Sequence, residues 1–69
     1  MENIMKIRLN GKTIECRSSR LMGLVLEMGL APSSVVAEVN LAVVTQEKWE
    51  STWIKDGDEI ELLSFVGGG

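Results

Sequence analysis

Three consecutive glycines, Gly67, Gly68 and Gly69, close the sequence directly behind a hydrophobic stretch that ends at Val66. Without Cβ atoms, such a segment adopts extended or positive-φ conformations that let it thread a narrow channel in another protein. The tip of that arm is a backbone carboxylate. The chemistry on offer is therefore that of an acyl group, unreactive by itself and open to activation by a foreign catalyst. A glycine end standing alone reads as a frayed tail or an expression scar. Behind an abrupt switch from a hydrophobic strand, it reads as an arm made to be handled by a partner.

The side chains offer much less. The sequence has no His, no Tyr and a single cysteine, Cys16, which rules out a Ser-His-Asp triad, a Cys-His dyad and zinc sites built from His or several Cys. A disulfide within the chain is excluded as well. Ten acidic side chains remain, but a 69-residue domain is too small to wall off the cleft that would raise a carboxyl group's pKa for general-acid work. Cys16 has two readings, a thiol that receives sulfur or a small buried hydrophobe, and its place in the strand alternation beside Ile14 favours packing. Asp56-Gly57-Asp58 lacks the spaced acidic ligands of a calcium loop and reads as a turn. The expectation is a protein with no catalytic residue, no metal and no bound cofactor of its own.

The elements that must carry the arm follow from periodicity. Met5, Ile7 and Leu9 alternate with Lys6 and Arg8, and Ile14 and Cys16 alternate with Thr13 and Glu15, so two half-buried strands flank Asn10-Gly11. That dipeptide tolerates positive φ at both positions, as a tight hairpin requires. Leu21, Leu24, Val25 and Met28 form one helical stripe, with Ser18 or Ser19 as the cap and Gly29 and Pro32 as the stop. Gly23 inside that helix costs about 1 kcal/mol relative to alanine and suggests a close approach by a sheet residue. Val35–Val39 and Ala42–Val44 read as strands joined at Asn40, and Thr45 as the cap of a helical turn through Trp49. Glu59–Val66 is the last strand, with Ile60, Leu62 and Ser64 on one face and Glu61, Leu63 and Phe65 on the other. One helix laid across one face of the sheet gives a two-layer α+β sandwich. Residues 1–66 form the domain and 67–69 the tail.

Two groups of apolar residues fit this plan in more than one way. Trp49 and Trp53, four apart, either close the edge of the core or anchor an interface. Val36, Leu63 and Phe65 point away from the helix and form either a docking surface or ordinary exposed apolar area, with Glu59 and Glu61 beside them.

Seven basic against ten acidic residues give a net charge of −3, which disfavours nucleic acid as a partner. No stretch approaches the roughly 18 apolar residues of a membrane span, and Met1–Lys6 lacks a secretory signal pattern, so the expected setting is the cytoplasm.

Taken in order, Ile7-Arg8-Leu9-Asn10-Gly11-Lys12, Val43-Val44, Gln46-Glu47-Lys48-Trp49, Asp56-Gly57-Asp58-Glu59-Ile60 and the final Gly68-Gly69 resemble the sulfur-carrier family of thiamin biosynthesis over essentially the whole chain. The resemblance implies a ubiquitin-like β-grasp fold, a mixed sheet of four to five strands with one main helix and a short helical turn. It also implies a protein cosubstrate whose Gly69 carboxylate is adenylated by an E1-like partner using ATP and Mg. Sulfur from a donor, usually a cysteine persulfide, then gives a thiocarboxylate that thiazole synthase consumes. The small subunit of molybdopterin synthase shares the fold and the Gly-Gly end, but its relatives tend to be longer, with prolines before the tail. Ser64-Phe65-Val66-Gly67 has none. A ubiquitin-like conjugation tag and a plain interaction module are the other readings.

Overall fold

The computed structural model describes residues 4–65. Strand β1 (Met5–Leu9) turns through Asn10-Gly11 into β2 (Lys12–Cys16), and helix α1 (Leu21–Glu27) follows. A 3-10 turn at Pro32–Ser34, unforeseen in the sequence, leads into β3 (Val35–Val39), β4 (Ala42–Val44), a 3-10 segment at Gln46–Ser51 and β5 (Glu59–Ser64). The five strands form one sheet in the order β2-β1-β5-β3-β4. β5 runs parallel to β1, pairing Arg8 with Glu59 and Leu9 with Ile60, and antiparallel to β3; the other pairings are antiparallel. The mixed sheet with one principal helix agrees with the expected architecture. The proposed boundary between domain and tail, at 66/67, lies outside the described residues.

Both hairpins have two-residue loops. Asn10 and Gly11 sit at φ 51° and 83°, and Asn40 and Leu41 at 50° and 73°, the positive-φ pairs of a type I′ turn. The core lies between the sheet and α1: Ile7, Cys16, Ala37 and Ile60 from the sheet meet Leu21, Leu24 and Val25 of the helix, and all are buried. Trp49 closes one edge, fully buried, with its indole Nε1 donating to the Val44 carbonyl at 2.8 Å. Truncating such a residue to alanine costs about 3–5 kcal/mol.

The helix ends differ from the sequence expectation at the start and agree at the finish. Neither Ser18 nor Ser19 caps α1. Arg20 holds the cap position in extended conformation with no side-chain hydrogen bond. Instead, the Leu21 N–H donates to the Thr52 carbonyl at 2.9 Å, so a distant loop satisfies the orphan donor. The Ser18 hydroxyl donates to Glu27 Oε1 at 2.8 Å. Ser18 is also what crowds Gly23: a Cβ there would lie 2.9 Å from the Ser18 Cβ, so the close neighbour belongs to the loop before the helix and not to the sheet. At the other end, Leu30 N–H reaches the Val25 carbonyl and Gly29 N–H the Leu26 carbonyl, with Gly29 at φ 75°, the paired bonds of a Schellman motif. Met28, assigned to the apolar stripe, is exposed where the helix unwinds. Thr45 makes no side-chain cap either.

Candidate functional site

The strand that leads to the tail is the best-secured element of the sheet. On one side, Asn10 N–H donates to the Ile60 carbonyl at 2.9 Å. The Asn10 side chain then reaches past the end of β1, its Oδ1 accepting from Leu62 N–H at 2.9 Å and its Nδ2 donating to the Leu62 carbonyl at 3.2 Å. On the other side, Asn40 Oδ1 accepts from Glu59 N–H at 2.9 Å while its Nδ2 donates to Asp58 Oδ1 at 3.0 Å. The two turn asparagines thus act as side-chain extensions of the sheet ladder, gripping β5 from both flanks. Sequence reasoning assigned them turn chemistry only. Nothing local signals a reach of 52 residues.

The acidic turn serves the same end. Asp56 Oδ1 accepts from Lys6 N–H at 2.7 Å and Asp58 Oδ2 from Lys55 N–H at 2.8 Å, so these carboxylates cap backbone donors at the entry to β5. Gly57 lies at φ 87°. This is the turn expected from Asp56-Gly57-Asp58.

At its far end, β5 stops being a strand at Ser64, short of the Val66 expected from the sequence. Phe65 N–H still donates to the Ser34 carbonyl at 2.7 Å, one residue past the end of the strand. Val36 and Leu63 face each other across β3 and β5 on the side away from the helix. Leu63 and Phe65 are 52% and 60% exposed and Val36 is half-buried, so the expected outward apolar group is assembled at the exit of the chain. Beyond it on the same face, Glu38 stands opposite Glu61, Val43 opposite Glu38, and Arg8 Nε meets Glu59 Oε2 at 3.7 Å. Gly67, Gly68 and Gly69 lie outside the described residues.

Cys16 is fully buried, its Sγ–H directed to the Ser18 carbonyl at 3.6 Å. Loss of solvation pushes its thiol pKa upward, and the Glu27 carboxylate adds to that. Its place is in the packed core, with Ile7 and Leu21. The two tryptophans part ways: Trp49 is core, whereas Trp53 is 59% exposed with the Arg20 guanidinium 4.5 Å over its ring. No helix among the described residues is long and apolar enough to cross a membrane.

The family model described as the ThiS family matches residues 7–69. A thiazole synthase from Magnetococcus marinus is 38% identical over 66 residues, which is 94% of this chain and 20% of that protein. This chain spans about a fifth of the length of the thiazole synthases it matches. The sulfur carrier protein ThiS of Bacillus subtilis is 29% identical over 65 residues, covering 91% of this chain and 98% of that one. The crystal structure of the thiamine biosynthesis protein (ThiS) from Geobacter metallireducens superposes with a TM-score of 0.78 at 32% identity, covering 94% of this chain and all of that one. The fold is therefore the β-grasp fold of that structure.

Proposed function

This chain belongs to the ThiS family, and from that premise we propose that it is a sulfur carrier for making the thiazole of thiamin, with Gly69 as its working residue. A partner enzyme transfers AMP from ATP, with Mg, onto the Gly69 carboxylate and releases pyrophosphate. The carboxylate resists nucleophiles until it becomes this mixed anhydride. The terminal sulfur of a donor cysteine persulfide displaces AMP, and a thiol then cleaves the resulting S–S bond to leave the thiocarboxylate. That soft nucleophile is delivered to thiazole synthase inside a site that excludes water. Gly67 and Gly68 supply an arm thin enough to enter both partners, and Val36, Leu63 and Phe65 supply a docking surface beside its root. The carrier contributes no catalytic side chain.

The observation that supports this reading is that the family match spans residues 7–69 and so takes in Gly69. The test is the intact mass of the protein co-expressed with its activating enzyme. A species heavier by the exchange of one oxygen for one sulfur is expected, and it should vanish when Gly69 is deleted or when one residue is added after it, with the fold unchanged. Persistent absence of that species removes the proposal. Mass ladders on other proteins, lost with Gly69, identify a conjugation tag instead.

A further inference from the structure

We propose that the β3–β4 hairpin is a second anchor, remote from the tail, of the surface by which thiazole synthase holds this carrier, and that Leu41 is the side chain the synthase takes up. The proposal rests on the sulfur-carrier reading of Gly69.

Leu41 is an anomaly twice over. It sits at φ 73°, where an L residue with a bulky side chain is crowded against its own backbone, and it is 86% exposed. The corresponding position of the other hairpin is Gly11, at φ 83°. Neither packing nor turn geometry therefore accounts for a leucine at the tip. Strain without local compensation points to a role outside the free chain.

The face leading away from the tip shows the same character. Val43, 64% exposed, stands opposite Glu38. Glu38 in turn stands opposite Glu61, and neither carboxylate is paired with a cation among the described residues. Like charges directly opposed across two strands destabilise the sheet, and a cation from a partner laid between them reverses the sign. The order along this face is Phe65, the Val36–Leu63 pair, then a row in which Val43, Glu38 and Glu61 stand side by side, and the turn that holds Leu41 begins two residues past Glu38. From the first of these to the hairpin turn is roughly 17 Å of strand. An interface of standard size covers about 800 Å² on each partner, far more than three glycines and their immediate neighbours provide. Extending the contact along this one continuous face to the hairpin supplies the difference.

The surface thus fits a partner with an apolar socket for Leu41, a Lys or Arg aimed between Glu38 and Glu61, and an apolar patch near the tail entrance. Thiazole synthase is the occupant because a region similar to this chain makes up a fifth of each of two thiazole synthases, which tethers a domain of this kind to the enzyme there.

The test uses the full chain and the separate thiazole synthase of the same host, titrated by calorimetry, with Leu41→Gly and Leu41→Asn variants that both suit positive φ. Thermal melts are run alongside. The expected result is opposite in its two readouts: the melting temperature rises by about 4 °C, while affinity for the synthase falls about tenfold. Glu38→Gln should also raise the melting temperature and weaken binding, with less dependence on salt. Full affinity in both Leu41 variants overturns the proposal, as does the absence of binding by the wild-type chain. Loss of sulfur loading with synthase affinity retained overturns it too, by assigning the hairpin to the activating enzyme. Intact mass of the wild-type chain tests the sulfur-carrier reading separately, because a thiocarboxylate at Gly69 stands whatever Leu41 does.

Discussion

The two hairpins of this sheet solve one geometric problem with different residues. Each has a two-residue loop with positive φ at both positions, and each opens with an asparagine whose side chain grips β5. They differ at the second position, which is Gly11 in one and Leu41 in the other. At Gly11, residue and backbone agree, as they do in a turn shaped by folding alone. At Leu41 they disagree. The first half of each turn is about holding the strand that carries the tail, and only the second half distinguishes a structural turn from one presented to a partner.

The comparison is tested most severely at the asparagines. Asn10→Ala removes both side-chain bonds to Leu62 and leaves a part-buried N–H without its acceptor, so a loss of about 3 kcal/mol is expected in urea unfolding. Asn40→Ala should cost less, about 2 kcal/mol, because one of its two side-chain bonds, the one accepted from Glu59 N–H, is exposed to water, whereas both Asn10 bonds to Leu62 are part-buried. Equal losses would mean that the two clamps do not differ in burial as described. Gly11→Ala should cost about 1 kcal/mol. A methyl group at Gly11 would meet nothing within 4 Å, so that cost is purely conformational and measures the strain that Leu41 carries. The smallest effect concerns Cys16, which both turns leave untouched. Its raised pKa means that the folded state binds the thiol proton more tightly than the unfolded chain, so its contribution to stability is complete below the unfolded thiol's pKa and fades as pH climbs toward the folded value. Alkylation of Cys16 near pH 8 should accordingly track global unfolding, and rapid labelling of the native protein would contradict its burial.

The sheet was legible because its signals are local. Alternation placed Ile7, Cys16, Ala37 and Ile60 inward, and Asn-Gly announced the first turn. The Schellman end of α1 was legible in Gly29 for the same reason. What escaped depends on residues far apart in the chain. The α1 start is satisfied by Thr52, so serines suited to capping were free for other bonds, and Ser18 bridges to Glu27. Gly23 makes room for Ser18, a neighbour that periodicity cannot name. The outward position of Val36, Leu63 and Phe65 followed from period two, whereas their adjacency to the opposed Glu38 and Glu61 required the β3–β5 register. Trp49 and Trp53 look alike in sequence and were separated only by the packing of the 3-10 segment.

The central position of β5 sets a condition on biosynthesis. Take that strand away and the sheet parts into two hairpins, β2-β1 and β3-β4, with no direct pairing between them. A nascent chain still lacking Glu59–Ser64 is thus a pair of orphaned ribbons, each too small to persist in water. Folding of the sheet waits on β5 to leave the ribosome, so termination before that strand yields material for proteolysis.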